Sequence, residues 1–329
     1  MNTLITSDIH MTNNPRDADR WNLWTWLREQ VKKHDVSKVL ILGDLTEEKD
    51  KHPSSLVNRF VREASDLAKS AQVILIKGNH DGIDENHPFF QFLNKIPGIT
   101  FITKPRVIEK WLFLPHTKKW EEEWDEYLKH LNQWSHIFCH HTFEGAIAEN
   151  GQTLRGISPT IFKGFKGKVY SGDIHAPQRV GAINYIGSPY RIHFGDNFQA
   201  RVMLLQNERE KDLHFPGKGR ELCNIRNLRD LQENSYILGT QIKVRVSLKR
   251  SEYPEWANLR KSIIKLSANK GWELCGIELE KIQAQESVDH TDTKLKDLSD
   301  HVRAHSKAKK LPKDLSNLGL EILKEVQDV

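Results

Sequence analysis

Five times in its first 175 residues the chain repeats one pattern: a short apolar run, an abrupt stop, then a residue able to bind a metal. Val39-Leu-Ile-Leu42 is the clearest case. Four consecutive apolar residues read as a strand buried on both faces. Gly43 ends the run, and Asp44 stands just past the strand's C-terminal end. In open α/β sheets ligands bind at that edge. The other runs are Leu4 to Ser7, followed by Asp8 and His10; Val73 to Ile76, followed by Asn79 and His80; His136 to Cys139, followed by His140 and His141; and Lys168 to Ser171, followed by Asp173 and His175. One strand-end acid commonly caps a turn. Five such stops in one chain predict convergence on a two-metal site with Asp44 between the metals.

Local spacing supports this reading. Asp8 and His10, like Asp173 and His175, are two apart, so on extended backbone both side chains point the same way. In Gly78-Asn-His-Asp81 the glycine lets the chain turn tightly and Asn79 offers a neutral oxygen ligand. Asp81 stands beside His80, where a carboxylate is expected to fix the imidazole tautomer and raise its basicity. Between the strands, helices are predicted over Asp17 to Lys33, capped by Asp17 or Asp19, over Ser54 to Lys69 behind Pro53, and over Lys119 to Leu131. Trp24, Trp120 and Trp124 fall on apolar helix faces and read as core.

With 329 residues, the chain is long enough for one large domain and a smaller one. No apolar run approaches the ~20 residues of a membrane span, and the N-terminus lacks the basic and apolar regions of a signal peptide. Cys139, Cys223 and Cys275 share no metal-type spacing and cannot all pair, which suggests a reducing, cytoplasmic setting. The net charge of +5 permits a polyanionic partner without requiring one. Sixteen histidines make placement, rather than number, the informative property.

The predicted organisation is a catalytic domain over 1–206, a polar linker with one short strand over 207–234, a β-α-β module over 235–283, and a tether with two helices over 284–329. Gln241 to Val246 and Trp272 to Leu279 are the strands of the module, with a helix over Glu255 to Ala268. The last helix carries Leu315, Leu318, Ile322 and Val326 at helical spacing.

Taken in order, Asp-Xaa-His, Gly-Asp-Xaa-Xaa-Glu, Gly-Asn-His-Asp, a strand-end His and Gly-Xaa-Xaa-His resemble the calcineurin-like metallophosphoesterases. Gly172 to Arg179, Ile183 to Tyr190 and His52-Pro-Ser-Ser55 are similar to the SbcD-type nuclease subunits of bacteria and phages, which partner an SMC-like ATPase of the SbcC type. The resemblance implies a four-layer α-β-β-α sandwich with a small α+β capping domain and a C-terminal helical extension that grips the ATPase. It places one metal on Asp8, His10, Asp44 and His175, and the other on Asp44, Asn79, His140 and Asp173, with His141 as the alternative to His140. His80 would stand next to the metals as the acid that protonates the leaving group. His52, Ser54, Lys243 and Arg245 would meet DNA. The implied activity is 3′-to-5′ exonuclease with some endonuclease action, in a homodimer, in a bacterial cell or phage-infected host.

Two departures stand out. Asp173 occupies a position where the family usually has His, and this harder ligand moves preference toward Mn²⁺ or Mg²⁺. Glu47 stands where the nuclease branch often has His, which bears on how the substrate phosphate is held. Two rival readings share the same motifs: a phosphatase or cyclic-nucleotide phosphodiesterase, and a DNA-end-binding scaffold with a weakened site.

Overall fold

A computed structural model of the protein describes residues 2–84, 86–281, 298–309 and 311–327. In chain order its first elements are β1 (Asn2–Thr6), α1 (Asn22–Lys33), β2 (Val36–Ile41), α2 (Ser54–Ala68), β3 (Gln72–Ile76) and β4 (Ile99–Ile102). There follow β5 (Arg106–Ile108), β6 (Trp111–Leu114), β7 (His136–His140), β8 (Lys168–Gly172), β9 (Gln178–Val180), β10 (Ile183–Tyr185), β11 (Val202–Gln206) and β12 (Arg209–Leu213). They form two six-stranded sheets, ordered β12-β11-β1-β2-β3-β4 and β5-β6-β7-β8-β10-β9. The central strands β1 to β4 run parallel, as do β6, β7, β8 and β10. Parallel strands bring their C-terminal ends to one edge, so all five apolar runs stop on the same side of their sheets.

Side-chain alternation within each buried run decides the layers. Val39 and Ile41 pack with Trp24 and Leu27 of α1 and Phe60 of α2. Leu40 and Leu42 face the other way, into a second core with Phe113, Phe138 and Tyr170 of the opposite sheet. Beyond that sheet Leu112, Leu114, Ile137 and Val169 pack with Trp124 and Phe162. The result is the α-β-β-α sandwich expected from the sequence. Each buried Leu, Ile or Phe contributes about 1.5–3 kcal/mol of transfer free energy.

Some elements differ from the sequence expectations. The first helix is preceded by a 3-10 turn over Pro15–Trp21 whose cap is Asn14. Asp17 instead turns inward and pairs with Arg220. The helix expected over Lys119 to Leu131 breaks into single turns, Trp120–Glu123 and Asp125–Leu128. Trp124 is fully buried, but Trp120 is only half-buried. Residues 207–234, read above as a linker, are built into two sheets: β12 pairs with β11, and β13 (Arg220–Ile225) opens a third sheet. Charged residues on the exposed edge strand hide its periodicity.

The third sheet is β13-β14-β15, with β14 over Gln241–Leu248 and β15 over Glu273–Lys281, and the helix Trp256–Asn269 shares its core. Three contacts tie it to the turn after β1. Arg220 pairs with Asp17, Gln241 Nε2 donates to Arg16 O at 2.5 Å, and the Lys218 amide donates to Asp19 at 3.2 Å.

The chain divides into compact units at Met1–Glu280 and Lys281–Val329. The second contains the helices Leu298–Ala308 and Lys313–Gln327, which meet where Gly319 approaches Val302. Leu315 and Leu318 are half-exposed. The side chains of Ile322 and Val326, and most of the tether, lie outside the described residues. Among the described residues no helix is long and apolar enough to cross a membrane.

Candidate metal centre

The loops after β1 and β2 run side by side beyond the sheet. Leu42 N donates to Thr6 O at 2.8 Å, Asp8 N to Gly43 O at 3.1 Å, and His10 N to Asp44 O at 3.0 Å. This backbone zipper brings the first two motifs together. Four of the candidate ligands hold left-handed backbone that L residues seldom adopt: Asp8 (φ 51°), His10 (φ 36°), Asp44 (φ 53°) and Asp173 (φ 84°). Such conformations persist only where the surroundings enforce them, and they cluster at functional sites. Two glycines permit the approach: a Cβ on Gly43 would strike the His140 ring, and one on Gly78 would strike Asp44.

All seven residues expected as ligands meet at this edge. Asp44 is central, with Oδ2 3.5 Å from His10 Nε2 and Oδ1 3.4 Å from His140 Nε2. The ligating atoms of Asp8, His10 and His175 lie within 4.8 Å of one another, as do those of Asp8, Asp44 and His140. Asp173 Oδ1 lies 3.7 Å from His140 Nε2. His140 also settles its tautomer, because Nδ1 donates to Leu42 O at 2.6 Å and leaves Nε2 as a lone pair. The Asn79 amide nitrogen donates to His140 Nε2 at 2.9 Å and to both Asp44 oxygens at 3.1 Å; turned over, the same amide would offer its oxygen to a cation. His141, the alternative, turns away to Thr117 O at 3.0 Å and stacks on His116.

Carboxylates and imidazoles crowded this closely, away from water, are what a cation would satisfy. Asp8 Oδ2 and His10 Nε2 are buried with no hydrogen-bond partner. Burial pushes Asp8 up to about 8, against the pull of His140 and with repulsion from Asp44 and Asp173. Asp44 is likewise raised, by burial and then by Asp81. Burial holds His10 down to about 3 and lowers His175, so these imidazoles stay neutral at pH 7 and offset none of the carboxylate charge. The donor set of carboxylate, amide and imidazole suits divalent cations. Asp8, His10 and His175, and Asp44, Asn79, His140 and Asp173, would hold them.

Asp81 corrects an expectation. It does not orient His80. Its buried carboxylate accepts three backbone amides, from Gly78 at 2.7 Å, Asp44 at 3.0 Å and Leu45 at 2.9 Å, and so ties the second and third motifs together. His80 is oriented instead by Glu47 O, 2.8 Å from its Nδ1, and its ring meets His10 edge-on at 5.0 Å. His52 also turns inward, with Nε2 2.7 Å from Thr46 Oγ1 and its ring 4.1 Å from Phe89. Ser54 is exposed at the start of α2. Lys243 and Arg245 both pair with Glu278. None of these four belongs to the acceptor cluster.

Three supporting residues escaped the sequence reading. Glu149 lies 3.2 Å from His175 Nδ1, Thr142 donates to Asp173, and His116 packs between His140 and His141. They sit in irregular loops without periodicity, so no sequence signal marks them.

A calcineurin-like phosphoesterase family model matches residues 1–177, and the chain belongs to that family. Over 215 residues it is 27% identical to exonuclease subunit 1 of Enterobacteria phage T4, a match covering 58% of this chain and 63% of that one. Over 103 residues it is 29% identical to the SbcD subunit of nuclease SbcCD from Escherichia coli (strain K12), covering 29% of this chain and 25% of that one. The chain thus spans less than two thirds of either relative. An archaeal phosphodiesterase structure aligns at 15% identity with a TM-score of 0.36, covering 65% of this chain and all of that one, a likeness too slight to carry an argument.

Proposed function

We propose that this phosphoesterase is a two-metal DNA nuclease subunit, a 3′-to-5′ exonuclease with some endonuclease action that works best with Mn²⁺. The observation that carries the reading is the convergence of Asp8, His10, Asp44, Asn79, His140, Asp173 and His175 at the shared sheet edge. The names of its two relatives, an exonuclease subunit and a nuclease subunit, support the choice of a nucleic acid substrate and of a multi-subunit assembly.

Bound there, two divalent cations supply a nucleophile at neutral pH and Lewis-acid stabilisation of charge on phosphoryl oxygens. The chain's own residues do the rest. Asp44 offers one oxygen to each histidine side of the centre, which fixes the spacing of the two donor sets. Thr142 and Glu149 hold Asp173 and His175 in place. His80, with Nδ1 fixed on Glu47 O, keeps Nε2 to carry the proton that passes to the departing sugar oxygen.

The two large sheets form the catalytic part and the three-stranded sheet caps the DNA. The C-terminal helices bind an SbcC-type ATPase in a complex built on a homodimer. The test is cleavage of labelled linear duplex DNA in Mn²⁺ by the wild type and by Asp44→Ala. Cleavage lost in the variant supports the reading. Absence of cleavage by the wild type, even with the ATPase added, overturns it.

A further inference from the structure

One stretch of chain, residues 188–196, backs both histidines of the first donor set. The Ser188 amide donates to His175 O at 2.9 Å, and the His193 ring lies 5.7 Å from the His175 ring. Tyr190 Oη donates to Ile9 O, one residue before His10. The stretch reaches His10 itself through Arg20. One nitrogen of that guanidinium donates to His10 O at 2.8 Å, and another donates to Ile192 O at 3.1 Å. Arg20 is buried, pairs with Asp17 and lies over the Tyr190 ring.

The third sheet meets the same carbonyl. Arg220 of β13 donates to Ile192 O at 2.5 Å. Arg191, next to Ile192, donates to Arg220 O at 3.3 Å and pairs with Glu221. Two guanidinium groups thus share Ile192 O, one from the turn after β1 and one from the third sheet. The second donor set is held by other parts of the chain: His140 by Leu42 O, and Asp173 by Thr142.

His10 depends on such support. Its φ of 36° is left-handed backbone, which persists only where the surroundings enforce it. Its amide is fixed on Asp44 O, so the hold on its carbonyl completes the clamp that aims the ring. A guanidinium carries its donors in a rigid planar fork, and a hydrogen bond from a charged donor is stronger than one between neutral groups. Arg20 therefore keeps His10 O and Ile192 O at one separation.

We propose that Arg20 is a positioning residue for His10, and that through the Ile192 carbonyl it shares with Arg220 the seating of the third sheet tunes the affinity of the Asp8–His10–His175 metal set and not of the other. The proposal rests on the two-metal reading of the centre.

Mn²⁺ is titrated calorimetrically into the metal-free full chain, and the class of site lost in His175→Ala is the first set. Arg20→Lys keeps a cation beside Asp17, but one ammonium on a flexible stem does not replace the fork. It is expected to weaken the first class about tenfold, to leave the second unchanged, and to melt in EDTA close to wild type. Arg20→Ala is expected to show the same loss with a lower melting temperature. Arg220→Ala leaves Arg20 on Ile192 O and is expected to weaken the same class about threefold. First-class affinity equal to wild type in both Arg20 variants, or equal weakening of both classes, overturns the positioning role, whatever the melting temperatures. Wild-type affinity in Arg220→Ala overturns the link to the third sheet. A wild-type chain that takes up no Mn²⁺ overturns the metal reading itself, an outcome distinct from two classes that the arginine variants leave untouched.

Discussion

Glu47 sets a carboxylate oxygen 3.1 Å from His10 Nδ1, while the other ring nitrogen of His10 lies 3.5 Å from Asp44. Contact with His10 holds the Glu47 carboxyl down to about 2, so it is ionised throughout the working range. A carboxylate behind a ligating imidazole fixes its orientation and raises its basicity. The position that departs from the nuclease pattern thus contacts the candidate centre directly. Glu47→Ala is expected to lower metal affinity roughly 10–100-fold at the Asp8–His10–His175 set and spare the other. Calorimetric metal titration checks this; two unaltered sites would refute it.

The His80 ring meets the cluster edge-on at His10, and its backbone amide, which any residue there would keep, donates to Asp44 Oδ1 at 2.9 Å. His80→Ala should leave metal stoichiometry intact and reduce kcat about 10²–10⁴-fold. Parallel loss of bound metal would make His80 a ligand instead.

Asp81 anchors three buried backbone amides. Asp81→Ala leaves them unsatisfied, at about 1–3 kcal/mol each. A lower melting temperature in EDTA is expected, with weaker metal binding following from it. Were Asp81 only an orienter of His80, turnover would fall and the metal-free melting temperature would not move.

Metal binding should release protons at neutral pH. Asp8 has its pKa raised to about 8, so in the metal-free fold it is protonated at pH 7 and must lose that proton to ligate. His10, lowered to about 3, is already neutral and contributes none. Affinity is therefore expected to rise with pH up to about 8 and level off above it. Titrations in buffers of different ionisation enthalpy count the protons, and a pH-independent affinity between 6 and 9 would contradict the assignment.

The buried Arg220–Asp17 pair fastens the third sheet to the turn after β1. Arg220→Ala removes its bonds to Asp17, Ile192 O and Gln241 but leaves Asp17 with Arg20 and Thr12, and is expected to cost about 1–3 kcal/mol. Denaturant midpoints measure it. A loss within 0.5 kcal/mol, roughly what a surface substitution costs, would show that the pair holds nothing.

Sequence alone determined the buried strands and the acids and histidines that end them. Four-residue apolar runs have only a strand's length in which to bury both faces, and a glycine or acid cannot continue them. Asp8, Asp44, Asn79, His140, Asp173 and His175 were legible because each follows such a run directly. The contacts of Glu47 and Asp81 and the half-exposure of Trp120 were not legible. Adjacency suggested that Asp81 serves His80, but a carboxylate is held by whichever donors the turn delivers, here the amides of Gly78, Asp44 and Leu45. Helical spacing put Trp120 in the core, but the helix breaks at Trp124 and leaves Trp120 half-exposed beside a cavity. The stretch holding β12 and β13 reads as a linker with a single short strand because its charged faces mask the alternation that pairing reveals. The run of apolar residues is a local property of the chain. Which donor meets which acceptor is decided only when neighbouring strands align and bring their loops together, because partners such as Asp81 and Leu45, or Glu47 and His10, are tens of residues apart and no local pattern encodes their distance.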